Sequence, residues 1–216
     1  MEALKPKKTL VEEAYDTLVN AICSGEIRPG ERLNQDEIAE QLGVSRQPVN
    51  SAISILKSNG LVEDTGRRSV VVSRSDPDLY RSIYEYRKVI EPFAIRLAGA
   101  SLGDNHRRQA DRILRIGYKS RQGGQLTELL HADMLFHQMI YEWSGILVVQ
   151  MSMKTNWHHI RRSMAEVLRK PSIAMPVWEE HSDIIETLFS GQTELAAQIM
   201  EDHIDHAYRT IFDAII

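Results

Sequence analysis

Four residues in the second half of the chain have the types and spacing to hold a metal ion. In the run HADMLFHQM, Asp133 and His137 lie four residues apart, so both project from one face of a helix. Leu129, Leu130 and Ile140 share that face, which is therefore expected to look inward. His181 heads the apolar run Ile184, Ile185 and Leu188, and His203 follows Leu195, Ile199 and Met200. One carboxylate and three imidazoles from three inward faces suit a divalent transition metal. On spacing alone, the competing reading is a set of core histidines satisfied by their neighbours. His106, His131, His158, His159 and His206 fall where solvent or a helix end is expected. An open Asp/His site can also activate water in a hydrolase. The chain has no HExxH helix, and Glu179 and Glu180 are the nearest candidates for a base.

A second set of residues has the types that read DNA. Leu33 to Val72 contains two short helical patterns separated by Gly43 and followed by a basic hairpin. Asn34 is expected to cap the first helix with Glu37 as its capping-box partner, and Ser45 to cap the second. Pro48 falls in the first turn of that second helix, where a missing N–H costs nothing. Two short helices around a glycine-containing turn form a helix-turn-helix pattern, and strands at Leu61-Val62 and Val70–Val72 add a wing. The second helix of such a unit enters the major groove with its N-terminal residues at base edges. Here these are Ser45, Arg46, Gln47 and Asn50. Arginine pairs best with guanine, and Gln or Asn with adenine. Arg32, and Arg67 and Arg68 at the wing tip, complete the DNA-binding set by reaching phosphate or the minor groove. The alternative is a helical hairpin that packs on something else.

These residues need elements to carry them. Leu10 to Cys23 reads as a helix ending at Ser24-Gly25, and the winged unit follows it. The polar link Arg74–Asp78 marks a boundary, which gives a DNA-binding domain at 1–75 and an all-helical domain at 76–216. The second domain is expected to hold six helices: Tyr80–Gly99 with a kink at Pro92, Asp104–Arg121, Leu126–Trp143, Leu147–Arg169, one from Pro176 to Ser190, and Thr193–Phe212. Short connections make these an antiparallel bundle. The fold class is mainly α, a winged helix-turn-helix with a small β-hairpin followed by a helical bundle.

Composition sets limits on function. The chain has 216 residues and a net charge of −4, and residues 1–75 carry 10 Lys+Arg against 11 Asp+Glu. A generally sticky, histone-like binder is excluded; positive charge is only local, at Arg46, Lys57, Arg67, Arg68 and Arg74. Cys23 is the only cysteine, so no intrachain disulfide forms. No apolar run approaches the ~20 residues of a spanning helix, and MEALKPKKTL lacks the apolar core of a signal peptide. A cytoplasmic protein with no membrane partner is expected.

Tyr15 to Ser73 resembles the winged-helix domain of the GntR family of bacterial transcription regulators. The resemblance rests on SGEIRPGERL (Ser24–Leu33), IAEQLGVSRQPV (Ile38–Val49) and NGLVE (Asn59–Glu63). The chain departs from the family at Asp36 and Asn50, where relatives often carry arginine, and at Ser69, where the wing usually has glycine. Leu79 to Ile211 resembles the FCD ligand-binding domain of the FadR branch, through YEYRKVIEPFAIRLA, ADMLFHQMI, EEHSDIIETLFSGQTELA and MEDHIDHA. Many members hold a metal beside a small carboxylate effector through one Asp and three His, and Asp133, His137, His181 and His203 match all four. The resemblance implies one divalent transition metal per chain, zinc first, with nickel, iron and manganese also compatible. Arg87 matches an arginine that faces this pocket, and a guanidinium can clamp a carboxylate through two parallel bonds. The alternative for Arg87 is a surface salt bridge to Glu91. The function implied is a ligand-responsive regulator that binds a palindromic operator as a homodimer, since two-fold symmetry doubles the contacts of one recognition helix. A metal-dependent hydrolase and an architectural DNA-binding protein with a structural metal are the alternatives.

Overall fold

The structure, a computed structural model, describes residues 8–66, 69–124, 126–167 and 171–215. By internal contacts the chain divides into two compact units, Met1–Ser75 and Asp76–Ile216.

The first unit begins with helix α1 (Leu10–Ser24). Thr9 caps it through a capping box: Thr9 Oγ1 accepts from the Glu12 N–H at 3.2 Å, and Glu12 Oε2 accepts from the Thr9 N–H at 2.8 Å. Helices α2 (Gln35–Leu42) and α3 (Arg46–Ser58) form the helix-turn-helix. Gly43 closes α2 in the left-handed region at φ 64°, where a residue without Cβ fits best. Two expected caps differ in detail. Asn34 caps α2 by accepting from the Asp36 N–H, and Glu37 holds the Asn34 side-chain amide at 2.6 Å instead of completing a capping box. Ser45 occupies the N-cap of α3 without a side-chain capping bond.

Strands β1 (Arg32–Leu33), β2 (Val62–Asp64) and β3 (Val70–Val72) make an antiparallel sheet in the order β1-β3-β2. The register pairs Leu33 with Val70 and Val62 with Val72. Strand β1 was not expected, and two residues are too short to show a period. Leu18, Ile22, Cys23, Val49, Ile53, Leu56, Leu61 and Val72 fill the core of this unit.

The second unit contains α4 (Pro77–Ala98), α5 (Asp104–Gly123), α6 (Leu126–Trp143), α7 (Leu147–Val167), α8 (Pro171–Phe189) and α9 (Thr193–Ile215). Helix α6 lies among α4, α5 and α7, while α9 packs on α4 and α8. Asp76 caps α4 by accepting from the N–H groups of Asp78 and Leu79, with Pro77 in the first turn. The helix runs through Pro92, which is buried within it. Helix α8 differs from expectation: it starts at Pro171, and Pro176 lies inside it. A proline five residues into a helix removes one backbone bond without ending it. Arg169, the expected end of α7, lies outside the described residues.

Gly117 on α5 has a steric reason. A Cβ there would lie 2.1 Å from the Trp178 ring on α8. Trp178 in turn packs edge-on against His181, with ring centroids 4.7 Å apart, so a larger residue at position 117 would press on the turn that carries His181. Gly117→Ala is therefore expected to lower stability by about 1–3 kcal/mol through overpacking. Urea unfolding checks this; an unchanged midpoint and slope would contradict the close approach.

Candidate functional site

Three imidazoles from three helices meet in the interior of the bundle. His137 (α6), His181 (α8) and His203 (α9) are all buried, and they offer ligand atoms within 4.8 Å of one another. His181 Nε2 lies 3.2 Å from His203 Nε2 and 3.6 Å from Asp133 Oδ1. The tight group is the three histidines, and Asp133 approaches it from the His181 side. Its Oδ1 is buried and has no hydrogen-bond partner among the described residues. A buried carboxylate oxygen without a donor is costly unless a cation meets it. Phe136 stacks on His181 at 3.8 Å and 15° between planes, which with Trp178 holds the ring on two sides.

Carboxylates fix the far nitrogens of two of the rings. His137 Nδ1 donates to Glu91 Oε2 at 2.6 Å, and His203 Nδ1 donates to Glu180 Oε2 at 2.7 Å. Both Nε2 atoms thereby carry lone pairs: that of His203 lies 3.2 Å from His181 Nε2, and that of His137 accepts from Arg87 Nη2 at 3.3 Å. Carboxylate partners set the tautomer of ligating histidines in the same way. Burial holds His181 well below the ordinary imidazole range, and His203, His137 and Arg87 push the same way. Burial also lowers His137, against the opposing pull of Glu91. Neutral imidazoles are the form that ligates. His181 Nδ1 has no partner among the described residues, so it can take the ring proton without breaking a bond. The donor set thus fits a divalent transition metal.

Arg87 is not on the surface. It is 1% exposed, and its Nε donates to Glu91 Oε1 at 2.5 Å, with Nη2 3.3 Å from His137 Nε2. The salt bridge weighed from sequence exists, but it lies in the core and opens onto the histidines. Burial alone would raise the Glu91 carboxyl; Arg87 and His137 overturn this and hold it well below the usual carboxylate range. Tyr141 donates its hydroxyl to the same Glu91 oxygen at 2.8 Å.

Glu91, Tyr141 and Glu180 are the residues the sequence reading missed in these roles. Glu91 follows Arg87 by four residues and Tyr141 follows His137 by four, so helical spacing contained the signal. Glu180 also accepts from exposed His206 at 3.0 Å. Of the histidines expected at solvent, His159 is buried instead. Between α6 and α7 lies a cavity of ≈ 230 Å³, walled by Tyr141 and Trp157 with exposed Lys154 at its rim. The Trp157 ring is 5.2 Å from the His137 ring and 5.2 Å from the Arg87 guanidinium, so the cavity shares its inner wall with the centre.

In the first unit, Arg32, Ser45, Arg46, Gln47 and Asn50 are all exposed, while Pro48 and Val49 between them are buried. The N-terminus of α3 therefore offers its polar residues to solvent and keeps its apolar ones in the core. Arg46 Nε lies 2.8 Å from Asp36 Oδ1, an exposed ion pair. Arg67 and Arg68 lie outside the described residues.

Comparison with known proteins gives concordant results. Residues 10–72 match the family of bacterial regulatory proteins named gntR, and residues 82–206 match the FCD domain. An uncharacterized HTH-type transcriptional regulator of Bacillus subtilis (strain 168), YdhC, is 24% identical over 197 residues, covering 89% of this chain and 86% of its own length. A probable D-xylose utilization operon transcriptional repressor of Paenarthrobacter nicotinovorans is 26% identical over 208 residues, covering 92% and 87%. The solved structure of E. coli McbR/YncC shares the fold, with a TM-score of 0.84 at 18% identity over 96% of this chain and 99% of that one. The family matches and relatives are transcription regulators, not enzymes.

The Arg87–Glu91 pair yields a stability prediction. Removing one partner of a buried ion pair leaves the other charged in the core, at a cost of about 3–5 kcal/mol. Glu91→Ala is expected to lose about that much in denaturant unfolding, because the Arg87 guanidinium then has no carboxylate beside it. A loss below about 1 kcal/mol, the range of exposed pairs, would contradict the burial of this pair.

Proposed function

Since the chain belongs to the GntR family of bacterial regulatory proteins and carries an FCD domain, we propose that it regulates transcription as a homodimer on a two-fold operator, in response to a small carboxylate sensed at a divalent metal. The observation that carries this reading is the convergence of His137, His181 and His203, with their outer nitrogens held by Glu91 and Glu180. His137, His181, His203 and Asp133 would hold the ion, with zinc first among zinc, nickel, iron and manganese. When bound, the ion supplies a Lewis-acidic position for an effector oxygen.

The ion and Arg87 are the two groups a carboxylate would meet together. A divalent ion and Arg87 are balanced by Asp133, Glu91 and Glu180, so an anionic effector would be held by direct contact with the ion and the guanidinium rather than by a surplus of charge. Arg87 turns Nε to Glu91 and Nη2 toward the histidines, so Glu91 orients the cation that a carboxylate would meet. The cavity beside Tyr141 and Trp157 offers room for a small molecule between α6 and α7, with Lys154 and Glu142 both on its lining.

An apolar surface supports a second copy as partner. Tyr86, Val89 and Phe93 follow one stripe of α4 and are exposed, with Val89 at 71%. Their spacing has the period of an apolar helix face. Leu147, Val148 and Met151 on α7 are exposed as well, and a Tyr86–Ser152 hydrogen bond of 2.9 Å ties the two helices together. Exposed apolar side chains gathered on adjacent helices are characteristic of an interface, and an isologous pairing would match a palindromic operator.

Control of DNA binding requires the effector to bind two states of the dimer with different affinity, and operator DNA must then change effector affinity by the same factor. Helix α4, which carries Arg87 and Glu91, starts at Pro77, directly after the last residues of the DNA-binding unit.

The test combines metal analysis with thermal unfolding. Wild type should retain one equivalent of metal, and His181→Ala should lose it. At saturating concentration, one member of a panel of small carboxylates should raise Tm by about 5–10 °C, and only when no chelator is present. Sedimentation of the same sample should show a dimer. Full metal content in His181→Ala, or stabilisation that ignores chelator, would contradict the proposal.

A further inference from the structure

We infer that Asp36 is a specificity-determining residue: its carboxylate pairs with the Arg46 guanidinium at Nε, leaving the terminal nitrogens for a base while keeping the group from phosphate. This rests on the reading of α3 as the recognition helix. Arg46 is the first residue of α3, and Asp36 lies in the first turn of α2, the preceding helix of the pair. Their Nε–Oδ1 contact of 2.8 Å joins the two helices on a surface where both side chains are more than half exposed. The backbone at Asp36 is anchored, because Asn34 Oδ1 accepts from the Asp36 N–H at 3.0 Å and Asn34 is itself held by Glu37.

A guanidinium has five N–H donors in a planar fork. With Nε beside Asp36, the edge formed by the two terminal nitrogens stays available to another acceptor. That edge is the one that can bond bidentately to guanine O6 and N7. The carboxylate also acts through its charge. The first helix of such a motif crosses the DNA backbone, so an acid in its first turn meets phosphate and weakens binding that does not depend on sequence. Asp36 and Arg46 form an exposed pair at the start of their two helices. As an exposed ion pair it adds little to folding, so its removal should leave the fold intact and change recognition alone.

The experiment uses the full-length chain and two probes: the tightest duplex that wild type selects from a randomised pool, and a scrambled duplex of equal length. Affinities are measured at fixed salt for wild type, Asp36→Ala, Arg46→Ala and the double variant, with melting curves to confirm folding. Asp36→Ala should tighten binding to the scrambled duplex and lower the selected-to-scrambled affinity ratio about tenfold. In the Arg46→Ala background the same substitution should change the ratio less than about twofold, because the residue it positions is gone. An unchanged ratio in Asp36→Ala, or an equal change in both backgrounds, would overturn the assignment of Asp36. Wild-type affinity of Arg46→Ala for the selected duplex would overturn the reading of α3 itself, and this inference with it.

Discussion

A guanidinium and a carboxylate buried together in a helical bundle are held by a narrow set of conditions. Arg87 and Glu91 are 1% and 0% exposed, at a depth where each charge taken from water costs several kcal/mol unless its partners are well placed. The structure meets the condition by giving nearly every polar edge a neighbour. Glu91 accepts from Arg87, His137 and Tyr141 at 2.5–2.8 Å. Arg87 lies between the faces of Tyr84 and Trp157, about 5 Å from each ring. Burial pushes the Tyr84 phenol up to about 12, so that ring stays neutral beside the cation. Such a cluster is weak evidence for stability, since apolar residues of the same volume would serve a core at least as well.

From that pair the remaining geometry follows. Helix α6 presents Asp133, His137 and Tyr141 at four-residue intervals, so one face supplies a lone carboxylate, an imidazole and a hydroxyl. Glu91 turns His137 so that Nε2 faces inward, and Glu180 does the same for His203 from α8. His181 is set by Phe136 on one face and Trp178 at its edge, and Trp178 takes its position where Gly117 leaves room. The DNA-binding unit works by the opposite economy. Its polar residues at the start of α3 are exposed, and the chain as a whole is acidic, so selectivity must come from a few placed side chains.

How much of this was legible in the sequence varied with the physics involved. The two short helices around Gly43 were legible because the left-handed glycine and the apolar periodicity are local signals. The convergence of His137, His181 and His203 was foreshadowed by their position among apolar neighbours, although residues 44 and 22 positions apart along the chain meet only through tertiary packing. Glu91 was not legible as a core residue, since an i, i+4 pair with Arg87 looks the same on a surface. The exposure of Tyr86, Val89 and Phe93 was not legible either, because an exposed apolar stripe has the same period as one facing the core. Strand β1 and the start of α8 at Pro171 depend on pairing and packing that no local pattern records.

The central claim is that the inward-facing nitrogens of His137, His181 and His203, with Asp133 beside them, form a metal centre. The most direct test is an anomalous difference map at the zinc edge from crystals grown with a zinc salt. The account predicts one peak per chain among the Nε2 atoms of the three histidines, within bonding distance of them and on the side that faces Asp133. A map with no peak there, or with density only at surface histidines such as His206, would contradict it.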